Sequence, residues 1–324
     1  AQAIGRLAIA IFLFAIPKTI FMICSLVGLP FHYLVRWPRS PFTAVGLVLG
    51  VVSFFNILYG TLVGISKFEV KDIEFHHPNL PKAFDGYRIV QLSDIHIGSW
   101  IDNEKTINEL VELVNAQKPD LIVFTGDLVN QRSCELEGFQ DILAQLHAKD
   151  GVYSILGNHD YGSYYHWKNL KEQVNNIDNL IRMQKTMGWK LLNNEYDILH
   201  HEGDSIALIG VENDGEPPFS QFADLKKATK GTDGMFRILL SHNPTHWRRE
   251  VLPDTDIELM LAGHTHAMQA IMFGHSLASL IYPEWGGMYT EGDRGLYVNI
   301  GIGYVGLPFR FGAWPEITVI TLRD

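Results

Sequence analysis

Cysteine is scarce here: Cys24 and Cys134 are the only two in 324 residues. That excludes a disulfide framework and a cysteine-built structural zinc site, and it fits a reducing compartment. Negative charge is missing from the start of the chain, since no Asp or Glu precedes Glu69. Residues 1–65 carry only Arg6, Lys18, Arg36 and Arg39 as formal charges. The remainder lacks a basic excess. Residues 66–324 hold all 36 carboxylates against 22 of the 26 Lys and Arg, a net charge of −14. Affinity for a phosphate backbone needs basic patches, so nucleic acid is not an expected partner and a nuclease is disfavoured. A small phosphorylated substrate held by metals stays compatible with this charge. No internal repeat of fixed period occurs. No His-Glu-x-x-His occurs either, which counts against a metallopeptidase.

What the first 65 residues do have is apolar length. Residues 7–35 and 42–65 are almost wholly hydrophobic, and each suffices to cross about 30 Å of hydrocarbon as a helix. The second is the cleaner span. The first contains Pro17-Lys18, and a lysine in mid-membrane is costly. The expected reading breaks it there: 7–16 as the tail of an earlier span, 18–35 as a separate one with Lys18 at the interface. The division expected is therefore 1–65 as two or more transmembrane helices, without an N-terminal Met and so open to an earlier portion. Residues 66–82 follow as linker and edge strand, and 83–324 as a catalytic domain. A cleaved signal peptide does not fit two such blocks. Orientation is contested between Arg36 and Arg39 on one side and Lys18, Lys67, Lys71 and Lys82 on the other, with the cytoplasmic face preferred for the catalytic part.

Beyond residue 65 the pattern is strand, polar turn, helix. Residues 66–76 alternate as an edge strand. Arg88 to Leu92, Leu121 to Phe124 and Val152 to Leu156 read as buried strands, with helices expected over 103–117, 135–147 and 163–190. Strands resume at 198–200, 205–211, 236–240, 257–261, 296–299 and 316–322. This gives an α/β fold, two sheets flanked by helices, with ligand groups at the carboxyl ends of strands.

Five polar turns follow such strands in order: Asp94-Ile95-His96, Gly126-Asp127, Gly157-Asn158-His159-Asp160, Ser241-His242-Asn243 and Gly263-His264-Thr265-His266. Each is common alone, and the third reads equally as a turn in which Asp160 caps a helix. Together they supply carboxylate, imidazole and amide oxygen, which suit Mn, Fe, Zn or Mg. Asp94, His96, Asp127, Asn158, His242, His264 and His266 are too many ligands for one ion and suit two that share one. Two such ions clamp a phosphoryl group and activate water at neutral pH.

Over residues 85–322 the chain resembles the calcineurin-like metallophosphoesterases, and most of all their membrane-anchored bacterial branch. The resemblance implies a four-layer α/β/β/α sandwich preceded by transmembrane helices. It implies two divalent ions, manganese first. Asp94, His96 and His266 would hold one, and Asn158, His242 and His264 the other, with Asp127 bridging. It gives His159 a catalytic role on the substrate and Asp160 a role in orienting His159, alongside its reading as a helix cap. It also implies an integral protein of a bacterial inner membrane. One motif departs: relatives often follow Gly-His-x-His with Gly-Gly-Gln, where this chain has Ala267-Met268-Gln269.

The expected activity is hydrolysis of a phosphoester or pyrophosphate on a lipid or membrane-proximal substrate, such as a phospholipid or a UDP-diacylglucosamine-like molecule. Residues 270–288, apolar but too short to span, read either as a loop dipping into the bilayer interface or as a hairpin completing the core. The aromatic stretch after Asp160 reads as a lid or as a surface helix. Two alternatives remain. One is a water-soluble substrate with the anchor serving only to localise the enzyme. The other is an inactive, metal-bound membrane sensor, which would be expected to have lost a ligand or His159.

Overall fold

The computed structural model describes residues 2–101 and 103–324. Helices α1 (Gln2–Val35) and α2 (Ser40–Leu62) form an antiparallel hairpin. Both are long and apolar enough to cross a membrane, and their outer faces are largely bare. Small residues set the approach: Gly28 meets the Phe42 ring, Gly46 meets Phe21 and Cys24, and Gly50 meets Pro17. The expected break at Pro17 is absent. α1 runs through Pro17 and Pro30 without interruption, and Lys18 lies exposed in mid-helix rather than at an end. Proline removes one hydrogen bond, and an apolar helix packed on a neighbour tolerates that loss better than one in water.

Strand β1 (Glu69–His76) follows the hairpin at once and pairs in parallel with the distant β12 (Glu316–Arg323). The other strands are β2 (Arg88–Leu92), β3 (Leu121–Phe124), β4 (Val152–Ser154), β5 (Lys190–Leu191), β6 (Glu195–His201), β7 (Asp204–Gly210), β8 (Phe236–Leu240), β9 (Leu259–Ala262), β10 (Gly287–Glu291) and β11 (Arg294–Val298). They make two six-stranded sheets, ordered β1-β12-β2-β3-β4-β5 and β10-β11-β9-β8-β7-β6. The central pairs β2–β3–β4 and β7–β8–β9 are parallel.

The central strands are apolar on both faces because each sheet is covered twice. Ile89, Val123, Ile155, Ile206, Ile238, Leu240 and Leu261 fill the space between the sheets. On the outer face of the first sheet, Val90, Leu92, Ile122 and Phe124 pack on α3 (Glu104–Ala116) and α5 (Leu170–Thr186). On the outer face of the second, Ala207, Ile209, Leu239 and Met260 pack on α6 (Leu225–Thr229) and the turn Trp247–Val251. The expected four-layer α/β/β/α sandwich is therefore the observed one.

Two helices are shorter than their periodicity suggests. The expected 135–147 helix is a 3-10 turn, Ser133–Leu136, and one turn of α4 (Gln140–Leu143), parted by Gly138 at φ 87°. The expected 163–190 helix begins only at α5, where the Asn169 side chain accepts from Glu172 N–H at 3.0 Å. β10 is a strand that the sequence pattern did not reveal.

Candidate metal centre

Every candidate ligand sits where a parallel strand ends. Asp94 and His96 follow β2, Asp127 follows β3, Asn158 follows β4, His242 follows β8, and His264 and His266 follow β9. The two sheets thus aim their carboxyl ends at one point. Backbone bonds stitch the turns together: Asp94 N–H donates to Gly126 O, His96 N–H to Asp127 O and Gly263 N–H to His242 O. Asp94, His96, Asp127, His264 and His266 all have φ between 46° and 76°, in the left-handed region. Non-glycine residues held there cost about 1–3 kcal/mol each, so the fold spends stability to point these side chains inward. A side chain at Gly157 would collide with Asp127, and one at Gly263 with Ser93 and Asp94, so both positions need glycine.

The side chains converge in two groups. His96 Nε2 lies 3.1 Å from His266 Nε2 and 3.8 Å from Asp94 Oδ1, which is 3.1 Å from His266 Nε2. In the second group Asn158 Oδ1 lies 2.9 Å from His264 Nδ1 and 3.2 Å from His242 Nε2. One oxygen faces both: Asp127 Oδ2 is 3.6 Å from His96 Nε2 and 3.3 Å from His242 Nε2. Donor atoms bound to one ion at about 2.1 Å and about 90° apart lie about 3.0 Å from each other, so these spacings fit two ions sharing Asp127. The buried Asp94 Oδ1 makes no hydrogen bond among the described residues, as an atom meant for a cation would not.

Charge agrees with the spacing. Burial opposes ionisation of Asp94 and Asp127, yet His266 and His242 beside them hold both carboxyls below their ordinary range. Burial also disfavours a charged His242, but Asp127 pushes that imidazole up to about 9. Burial, with His242 alongside, drives His264 down to about 3, leaving it a neutral ligand. The two carboxyls thus stand ionised at the centre, where a bound cation would take the place of the proton on His242.

The neighbours fix the ligand orientations. His242 Nδ1 donates to Thr125 O at 2.7 Å, which turns Nε2 to the centre. His264 Nε2 is 3.0 Å from Tyr282 Oη. Asn158 Nδ2 donates to Tyr164 Oη at 3.0 Å, so its oxygen faces inward. A guanidinium can only donate, and Arg310 Nη2 stands 3.0 Å from His266 Nδ1. Arg310 is wholly buried; burial lowers it to about 10 against the pull of Asp94 and Glu316.

His159 is half-buried. Its ring lies edge-on to His96, with centroids 4.8 Å apart, and within 4.6 Å of Tyr164. Its backbone N–H donates to Asp127 Oδ1 at 2.8 Å. The expected link to Asp160 is not formed. His159 Nδ1 donates to Asn130 O at 2.7 Å, while Asp160 turns inward and accepts the N–H groups of Asp127, Leu128, Val129 and Gly157 at 2.8–3.1 Å. Nor does it cap a helix, because residues 158–164 form turns. Burial, with Asp127 close by, pushes the Asp160 carboxyl up to about 7 against those N–H donors. Arg310, Tyr282, Tyr164 and Asn130 escaped the sequence reading. Only Tyr282 and Tyr164 lay in stretches that had drawn notice, for their aromatics.

The profile of the calcineurin-like phosphoesterases matches residues 87–268, a range that contains all seven candidate ligands. The chain belongs to that family. The family is one of hydrolases of phosphoester bonds that work with two metal ions. An uncharacterised metallophosphoesterase of Bacillus subtilis is 33% identical over 76% of this chain and 82% of its own length. One of Helicobacter pylori is 31% identical over 87% and 70%. A zebrafish transmembrane protein with a metallophosphoesterase domain is 31% identical over 82% of this chain, which spans 60% of that relative. A solved dimetal phosphatase of zebrafish covers 67% of this chain and 88% of its own at 13% identity and a TM-score of 0.38, too distant to bear on function.

Proposed function

We propose that this metallophosphoesterase is anchored in a membrane by residues 1–65, is joined through 66–82 to a catalytic domain at 83–324, and hydrolyses a phosphoester carried on a lipid. Asp94, His96 and His266 hold one ion, and Asn158, His242 and His264 the other, with Asp127 between them. The mixed set of oxygen and imidazole donors suits manganese, and also iron, zinc or magnesium. Two bound ions polarise the phosphoryl group and activate the attacking water.

The side chains outside that set divide the remaining work. Asn130 fixes the Nδ1 proton of His159, which leaves Nε2 free to meet the substrate. There, as the imidazolium, its Nε2–H protonates the leaving oxygen or steadies charge on the phosphoryl group. Asp160 acts on the loops rather than on the substrate, since its carboxylate gathers two turns through four N–H groups.

The observation that carries the lipid reading is the loop after the last ligand. Phe273 is 96% exposed, Leu280 81% and Leu277 68%. Soluble surfaces rarely leave such a cluster bare unless it meets a membrane or a partner. The loop starts beside the end of α2: Ile271 N–H donates to Phe311 O, and Arg310 N–H donates to Gly60 O. It ends at Tyr282, against His264. An apolar bridge therefore runs from the anchor to the metals. Arg6, Lys67, Lys71 and Lys82 lie on the catalytic side of the hairpin and favour the cytoplasmic face of a bacterial inner membrane, against Arg36 and Arg39 at the far end.

The test is phosphate or phosphoester release by the manganese-loaded, detergent-purified protein, with a soluble chromogenic diester set against extracted membrane lipids. Preference for a lipid, lost when Phe273 and Leu280 are replaced by Asp, supports the reading. Equal or better turnover of the soluble ester overturns the lipid substrate and leaves the anchor as a means of localisation. Two bound ions with no turnover of either substrate make the protein a sensor.

A further inference from the structure

One charge stands alone in the apolar hairpin. Lys18 lies on the exposed face of α1, at the level of Gly50 and Val51 in the middle of α2. Bare apolar side chains continue from it in both directions: Leu7, Ile11 and Phe14 towards the catalytic domain, and Met22, Ile23 and Leu26 towards the far end. Leu7 lies roughly 16 Å of helix away and Val35 about 25 Å, beyond the ~6 Å reach of a lysine side chain. The ammonium therefore cannot escape to either interface, and an uncompensated cation at such depth is costly.

Nothing in the hairpin answers that charge. No Asp or Glu occurs in residues 1–65. A second copy of the hairpin brings no carboxylate for the same reason, and lipid phosphates lie at the interfaces, out of reach. The surface beside Lys18 has the shape of a seat. A groove of about 390 Å³ runs between the two helices, bounded by Lys18, Phe21, Gly46, Gly50, Phe54 and Phe55. A floor of glycine between phenylalanine walls lets the backbone of another helix approach closely.

We propose that this groove seats a transmembrane helix of another protein, one that carries an Asp or Glu at mid-bilayer depth to pair with Lys18. This rests on the membrane anchorage proposed above. In hydrocarbon two apolar surfaces gain little by meeting, since lipid tails are as apolar as they are. A charge pair differs, because each partner relieves the cost of the other's depth, so pairing selects among helices where apolar packing does not. An acid near either end of a partner helix stays at the wet interface and gains nothing from Lys18. The catalytic domain contributes no residue to the groove, so the seat serves company in the membrane rather than the chemistry at the metals.

The experiment reconstitutes the full chain in phosphatidylcholine vesicles, with a Leu-Ala transmembrane peptide of about 23 residues as the probe. Association is read by energy transfer between dyes on the two. The peptide carries a single Glu at its centre, or Gln in its place. The wild type should hold the Glu peptide roughly 10-fold more tightly than the Gln peptide. Lys18→Met should remove that preference, and Lys18→Glu should transfer it to a peptide with a central Lys. Moving the Glu to the last turn of the peptide should remove it as well. The proposal is overturned if the wild type holds the Glu and Gln peptides alike, if Lys18→Met keeps the preference, or if a terminal Glu serves as well as a central one. Release of the wild type from the vesicles by alkaline carbonate overturns the anchorage instead.

Discussion

His242 and His266 are both buried imidazoles delivered by the end of a parallel strand, yet their distal nitrogens meet opposite partners. His242 gives its proton to Thr125 O, whereas His266 receives one from Arg310. The difference extends to what lies behind each half. The Asn158–His242–His264 half borders Phe219, whose ring lies 4.6 Å from that of His264, and Tyr282 at the end of the exposed apolar loop. The Asp94–His96–His266 half borders Arg310 and, through it, the end of α2. One half therefore faces the exposed apolar loop, and the other faces the helical hairpin. Strand ends alone can gather seven ligands; what the loops put behind them makes the two halves unequal.

The largest expected effect erases the distinction. Asp127→Asn weakens the one group common to both halves, and ion affinity should fall by more than about 100-fold at both sites, as metal analysis after dialysis reads. Retention of two tight ions would remove Asp127 from the bridge. His159→Ala should leave both ions in place and lower kcat by roughly 10²- to 10⁴-fold. Loss of metal in that variant would make His159 a ligand and redraw the first half. Tyr282→Phe removes the hydroxyl behind His264 and should weaken a single ion by about 10-fold, in the Asn158–His242–His264 half. A weakening of both ions would mean that the halves are not separable. Smallest is Met268→Gly. Met268 holds φ 47° just past His266, and glycine there should raise stability by about 1 kcal/mol in thermal melts without altering ion content. A loss of metal would show that the strained turn itself presents the ligands.

The seven gathered side chains were legible because each stands in a short polar turn after an apolar run, and strand ends in such a sheet meet. What stands behind them was not legible. Arg310 lies 44 residues beyond His266, in a Gly- and Pro-rich stretch with no periodicity to reveal its burial. Asn130 orients His159 through a backbone carbonyl, which any residue type supplies. Asp160 looked like a helix cap or a partner for His159 because an acid after a glycine turn commonly caps; its four donors come from two turns, one of them some 30 residues earlier. Ala267 and Met268 adopt left-handed backbone that their side chains disfavour, so no local preference could announce it. Pro17-Lys18 misled for a different reason, since the break expected there rested on the cost of a lysine in mid-membrane, whereas α1 carries Lys18 exposed within its length.

One stitch in the sheet bears on how the molecule is made. β1 emerges directly after α2, but its partner β12 is synthesised far later, as the bond from Lys71 to Glu316 across 245 residues records. β12 then enters between β1 and β2, and both must wait for it. During translation the strand nearest the hairpin accordingly stands with an open hydrogen-bonding edge, the condition in which strands pair with the wrong partner. Closure of the first sheet belongs to the end of synthesis, so a nascent chain stalled before residue 316 would have its hairpin made and its first strand unprotected.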